Sequence, residues 1–315
     1  MKTLIKLASQ NRYVTTLRAV LFDGNTARAT DCDTFAIMSG PWNFTMPVMV
    51  PIDTIKTALA MGKGLNWDGK TLNGMRLTGS AGDVNSYPVA PSDTTGAVYS
   101  LPITPDTARV LSAMGVADVR YFLNGLFVNN GTIAATDGNR LHRLGVVSGT
   151  TGAPAVIIPR ALFDVCKKPI RVDYTGKIAV MHGADGVTYT AKLIDGKFPD
   201  IDRATPARRD RPIETVVTDA MIETLQRMTA AVKISDPKSG GVIISADGAI
   251  GRDDKGITPV PFCAPVPGGT GVRALHLLEA MRAAGAGGKL CMSGSLDSMY
   301  LVAGDFKAVV MSMRV

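Results

Sequence analysis

The feature that most constrains this chain is that it repeats itself. Ala29-Thr30-Asp31-Cys32-Asp33 returns as Ala135-Thr136-Asp137-Gly138-Asn139, each time after a β-rich run, first over 17–22 and then over 122–128. A second pair keeps nearly the same separation. Val50-Pro51-Ile52 opens a helical pattern reaching Met61, and Ile158-Pro159-Arg160 opens another reaching Lys168. Proline is well placed at a helix start, where its missing N–H would have had no partner. A fainter third copy has a strand-like run over 241–245 before Ala246-Asp247-Gly248, then a short helical pattern over 275–284. Two longer helical patterns, 104–114 and 218–233, precede the second and third β runs, with threonine or aspartate to cap them. A period of about 105 residues is too long for a solenoid, so the copies are domain-sized. The pattern predicts three similar α+β units. The breaker-rich segment 86–97 and the basic, proline-flanked segment 202–212 read as connectors, which divides the chain into 1–95, 96–206 and 207–315.

Composition narrows what such units can do. A chain of 315 residues, 46% apolar and 19% charged, is too long for one core and too apolar for disorder. It holds no run of about 18 apolar residues, and residues 1–10 lack the apolar stretch of a signal peptide, so a cytoplasmic protein is expected. A formal charge of +7 favours a polyanionic partner. Cys32, Cys166, Cys263 and Cys291 form no C-x-x-C pair and read as small core residues in a reducing compartment.

Chemistry-bearing motifs are scarce. His142, His182 and His276 sit at no helical ligand spacing, which predicts surface imidazoles and gives no zinc site or His-based triad. The glycine-rich segments 285–290 and 61–64 follow helices instead of opening them, and lack the hydroxyl that would hold magnesium. They read as helix ends and turns. Asp137 beside Arg140 could be imagined as a catalytic pair, but Asp-Gly after a strand is a turn signal. With no acid, base and nucleophile in one constellation, the expectation is a binding or architectural protein, not an enzyme, with no metal and no cofactor.

Four segments carry a resemblance: DVRYFLNGLFVNNGTIAATDGNRLHRL over 118–144, VIIPR over 156–160, KLIDGKFPDIDRATP over 192–206 and AVVMSMRV over 308–315. In this order they are similar to the bacterial DNA sliding clamp, the β subunit of DNA polymerase III. The good match covers roughly 100–206 and the C-terminus. The resemblance implies an α+β chain of three similar domains in the DNA clamp fold, with helices lining a central hole and antiparallel sheets outside. It implies a ring-shaped homodimer around double-stranded DNA, a processivity factor that tethers the replicative DNA polymerase and is placed by a clamp loader. Ring closure would hide open sheet edges.

Residues follow by motif. Arg120 and Tyr121 match the family loop that reaches DNA, and Arg160 opens a helix facing the hole. Arg109, Lys167, Lys168, Arg227 and Arg282 fall on predicted helices and are further expected DNA contacts. The family's partner-peptide groove maps onto Leu123, Thr136, Gly138, Asn139, Arg140 and Leu141, onto Pro199, Arg203 and Ala204, and onto Leu296, Val309, Met311, Ser312 and Met313. Soft methionines suit a groove that accepts several partners. Ser312 stands where the family has proline, Asn139 where it has histidine and Ala204 where it has valine, which implies an altered groove. Residues 1–17 are too few for the family's first inner helix with its strand. Family members are commonly acidic and this chain is basic, which points to a phage or other mobile replicon. The alternative expectation is a clamp-like adaptor or sequestering protein that binds clamp-interacting peptides without closing on DNA.

Overall fold

The structure, a computed structural model, describes every residue except 11–13, 63, 78–79, 81, 146, 236–239, 246–247, 252–268, 295 and 315. The turn Ala246-Asp247-Gly248, apart from its last backbone position, and Cys263 therefore lie outside the described residues.

The first third of the chain opens with α1 (Lys2–Ala8), whose Leu4, Leu7 and Ala8 are buried, one turn apart on one face. Strands β1 (Ala19–Thr30) and β2 (Thr34–Pro51) follow, then α2 (Ile52–Met61), β3 (Thr71–Leu72) and β4 (Met75–Arg76). In α2, Ile52, Ile55 and Ala58 recur at helical spacing and are buried, and Pro51 supplies the cap position. The middle third holds β5 (Tyr99–Pro102), α3 (Pro105–Leu111), β6 (Gly125–Asn129), β7 (Thr132–Thr136), β8 (Arg140–Leu144) and β9 (Val156–Pro159). It continues with α4 (Arg160–Val165), β10 (Pro169–Tyr174), β11 (Ile178–Gly183), β12 (Val187–Lys192) and α5 (Ile201–Ala204). Thr104 caps α3 as the sequence predicts, accepting from Thr107 N. The last third contains β13 (Ile213–Val216), α6 (Asp219–Ser235), β14 (Gly241–Ser245), β15 (Gly248–Gly251) and β16 (Thr270–Arg273). It ends with α7 (Ala274–Ala284), β17 (Lys289–Met292), β18 (Met299–Ala303) and β19 (Phe306–Val310).

Two compact units result. One comprises 1–103 with 158–194, the other 104–157 with 195–315. The first is built on a six-stranded sheet ordered β1-β2-β12-β11-β10-β5, so strands from the first and middle thirds share one ladder. Their junction is the antiparallel pairing of β2 with β12, Val187 facing Met38 and Ala191 facing Thr34. The second unit is built on the sheet β13-β17-β18-β19-β8-β7-β6-β9, and the chain leaves this unit within β9. Its junction is the pairing of β19 with β8, Phe306 opposite Leu144 through Val310 opposite Arg140. A smaller sheet, β15-β14-β16, lies in the same unit. There α6 buries Met221, Leu225, Met228 and Val232 along one stripe. Helix α7 is buried nearly all round, leaving Leu275, Glu279 and Arg282 as its outward stripe.

The sequence repeat is a repeat of hydrogen bonds. Thr30 Oγ1 donates to Thr34 O at 2.9 Å and accepts from Cys32 N at 2.9 Å, while Asp31 Oδ1 accepts from Asp33 N and Thr34 N. In the second copy Thr136 Oγ1 donates to Arg140 O at 2.5 Å and accepts from Gly138 N at 3.0 Å, while Asp137 Oδ1 accepts from Asn139 N and Arg140 N. The third turn position is left-handed in both, φ 81° at Cys32 and φ 88° at Gly138. Only glycine takes that backbone without cost.

Several expectations are corrected. Helix α4 ends at Val165, because Cys166 is extended (φ −80°, ψ 107°), so Lys167 and Lys168 stand beyond it. Cys166 and Cys291 are buried, but Cys32 is exposed at its turn. His142 and His276 are buried, not surface, imidazoles. Gly285 closes α7 with φ 74° and donates to Met281 O at 2.8 Å, as a helix end should. Among the described residues, no helix is long and apolar enough to cross a membrane.

Replacing Cys32 by glycine should raise stability by roughly 0.5–1 kcal/mol, since it relieves the left-handed strain. A urea midpoint that stays fixed or falls in Cys32→Gly contradicts this account of the turn.

Candidate functional site: one face of the shared sheet

Alternation along a strand sends neighbours to opposite faces. On β8, Arg140 and His142 point to one side, and Leu141 and Arg143 to the other; on β19 Val309 and Lys307 share the side of Leu141. The helix-facing side is occupied by a charged knot. Arg140, only 8% exposed, pairs with Asp137 and with Glu279 of α7, and donates to Ser112 O at 2.7 Å near the end of α3. Arg140 is thus turned away from Leu141, although the family motif groups the two. His142 lies beside it, and its Nδ1 donates to Arg109 O at 2.9 Å. Among the described residues its Nε2 has no partner, so a second proton there would have nothing to bond, and burial pushes the imidazole down to about 4. Burial, helped by Arg140, also pushes His276 down to about 4.

The other side collects the remaining groove residues. Leu141 and Val309 are cross-strand partners, and Tyr300 of β18 stands opposite Val309. Met311 donates its N–H to Asn139 O at 2.9 Å, and its side chain is 51% exposed. Ser312 Oγ donates to Leu296 O at 2.6 Å and Ser312 bridges to Val272, while Met313 N donates to Gly271 O. The tail is therefore tied to β16 and to the Leu296 turn, with Leu296 itself exposed. Leu123 is buried at the foot of β6. Pro199, Arg203 and Ala204 belong to the connector. Its Asp200 caps α5, accepting from Asp202 N and Arg203 N, and Phe198 stacks on Phe127 with centroids 4.6 Å apart. Asp202 of this connector reaches Arg143 Nη1 at 2.7 Å. A recess of about 360 Å³ opens here, lined by Arg143, Asp202, Thr205, Arg208, Tyr300 and Lys307 among others.

The expected DNA contacts are distributed over both units. Arg120 is clamped by Asp118, 3.0 and 2.8 Å from its two oxygens, and donates to Asp137 O at 3.1 Å. That guanidinium holds the Asp118 carboxyl down to about 2. It also lies over Gly138, where a Cβ would fall 2.7 Å from it and push the guanidinium aside. Tyr121 next to it is 58% exposed. On α3 Arg109 pairs with Asp106, and on α6 Arg227 pairs with Glu223. Arg282 of α7 donates to Gln226 of α6 at 2.7 Å. In the other unit Arg160 pairs with Asp164, and Lys167 and Lys168 are exposed beyond α4. Sequence reasoning missed Asp118, Glu279, Arg143 and Lys307. The i, i+2 spacing of Asp118 and Arg120 was a usable signal; the others meet only through the fold. Among the described residues, no group of three or more His, Cys, Asp or Glu could hold a metal.

No family model matches the chain. It is 35% identical over 120 residues to the beta sliding clamp of Pseudomonas aeruginosa, covering 33% of this chain and 31% of that protein. It is 37% identical over 117 residues to that of Escherichia coli K12, 32% of this chain and 31% of that protein. With that of Vibrio cholerae it shares 32% over 148 residues, 42% of this chain and 38% of that protein. The matches with the first two thus span under a third of those curated relatives' length. Among solved structures, the beta sliding clamp of C. crescentus superposes with a TM-score of 0.79 at 20% identity, covering 100% of this chain and 95% of that one. The DNA polymerase III subunit beta of P. aeruginosa gives 0.76 at 20% identity, over 100% of this chain and 96% of that one.

The two buried imidazoles set a pH dependence. Their folded pKa values lie below the unfolded value near 6.5, so between about 6.5 and about 4 the unfolded chain binds more protons and stability falls with pH. The urea midpoint should drop across that window, with a shallower slope in His276→Gln; an identical slope contradicts the assignment. The chain has the fold of bacterial sliding clamps along its whole length, and a third or more of it is similar to them in sequence.

Proposed function

We propose that this chain is a sliding-clamp subunit: it encircles duplex DNA as a ring of two copies and tethers a replicative polymerase, with a clamp loader placing it. The observation that carries this reading is the clamp fold over 100% of the chain, with a cross-repeat ladder in each unit. A net charge of +7 agrees with a polyanion held inside. Enclosure needs no base readout, so Lys and Arg toward the phosphates suffice and affinity should fall with salt. Arg109, Arg120, Arg160, Lys167, Lys168, Arg227 and Arg282 are the residues we assign to that task, with Tyr121 beside Arg120. No catalytic step is assigned, and the site of action is the cell interior.

Partners would dock on the sheet face bearing Leu141, Val309 and Met311, between the connector and the tail. Leu123, Thr136, Gly138, Asn139, Pro199, Arg203, Ala204, Leu296, Ser312 and Met313 frame that face in the proposal. Arg140 would act from behind the sheet by holding Asp137 and the turn. A second reading rests on one observation: among the described residues, the smaller hairpin of the first third, β3 with β4, has only two residues per strand. A subunit poor in edge strand there could bind clamp-interacting peptides without closing a ring.

Protein loaded on nicked circular DNA should stay bound through gel filtration and be lost after linearisation. Equal loss from both forms favours the adaptor. Met311→Ala should weaken a fluorescent leucine-rich peptide about five- to ten-fold while the melting temperature holds, because that side chain is half-exposed. Unchanged affinity contradicts the docking face.

A further inference from the structure

We infer that the recess beside the apolar docking face is a subsite for an acidic side chain of the docked peptide, an inference that rests on the peptide-docking reading above. The three strands β8, β19 and β18 present two successive rows on one face. The first row is Leu141–Val309–Tyr300, and the second is Arg143–Lys307–Val302. Rows two residues apart along a strand are separated by about 7 Å. Leu141, Val309 and Tyr300 are each under a tenth exposed, and the exposed apolar contact on this face is Met311, one row further out beside Asn139. An extended peptide anchored on Met311 therefore sets a side chain about four residues away over the second row.

The second row is cationic and concave. Arg143 and Lys307 line a recess of about 360 Å³ together with Arg208, Tyr300 and the connector residues Asp202 and Thr205. Arg143 is only 18% exposed at its side chain, so a charge placed against it is less screened than one on an open surface. The chain itself demonstrates the chemistry. Asp202, 83% exposed, sends its carboxylate into the recess and meets Arg143 Nη1 at 2.7 Å. Arg208 is held in a two-point pair with Glu214 at 2.6 and 2.9 Å. Lys307 has no such carboxylate among the described residues. The recess thus carries more positive than negative charge, and Lys307 is its unspent cation. A partner aspartate or glutamate would pair with Lys307 and share or displace the Asp202 contact with Arg143. Ion pairs of this kind set register and specificity more than raw affinity.

The test uses the full-length protein and fluorescein-labelled Leu-Ala-Leu-Phe peptides, each extended at one end by Asp-Gly-Asp or by Asn-Gly-Asn. Polarisation titrations should show one Asp peptide binding about five-fold tighter than its Asn counterpart at low salt, with the advantage fading toward 1 M salt. Lys307→Gln should erase the advantage while leaving the Asn peptide's affinity unchanged. Asp202→Asn should enlarge it, which a merely structural role for this row would not do. Equal binding of the Asp and Asn peptides at both ends, or an advantage that survives Lys307→Gln, overturns the subsite and leaves the docking face standing. Failure of every peptide to bind overturns the docking reading itself, and the subsite with it.

Discussion

Everything in this structure depends on backbone pairing between strands that belong to different sequence repeats. Each of the two large sheets is completed only by strands from two repeats. In one unit β2 of the first repeat finds β12 of the second, and in the other β8 of the second finds β19 of the third. Each ladder satisfies edge groups that would otherwise face water or recruit a foreign strand. The cost of fixing register is met by side chains on both faces, since a slip of one residue would turn Leu141 and Val309 inward and Arg140 outward.

The β8–β19 junction shows how two faces of one sheet divide labour. Behind it, Arg140 ties the strand to Asp137, to Glu279 and to the end of α3, while His142 stays neutral against Arg109 O. Removing one partner from such a buried pair costs several kcal/mol because the other is stranded. In front, the same two strands carry an apolar row and a basic row beneath a connector that is pinned by its own Asp202. These ties at the rear hold the strand in place, so a partner docking on the front as proposed would spend little ordering entropy there.

Much of this was legible in the sequence, and the exceptions have physical causes. The repeated Thr-Asp turn was visible because its hydrogen bonds are local, spanning at most four residues. Helix starts at Thr104 and Pro159 were visible for the same reason. The burial of His142 was not, because it depends on Phe306 and Arg109 arriving from other elements. Glu279 meets Arg140 from 139 residues away, and no local pattern announces it. Lys167 and Lys168 continue a helical pattern, yet Cys166 leaves the helix and β10 begins at Pro169, which ends the run. Motif matching grouped Arg140 with Leu141, whereas strand alternation alone separates them.

In the proposed assembly these ladders belong to a ring closed by a second copy. Light scattering on the purified protein at micromolar concentration measures this most directly. A closed ring predicts a particle of twice 33.1 kDa that persists on dilution. A single copy of 33.1 kDa under those conditions would contradict it.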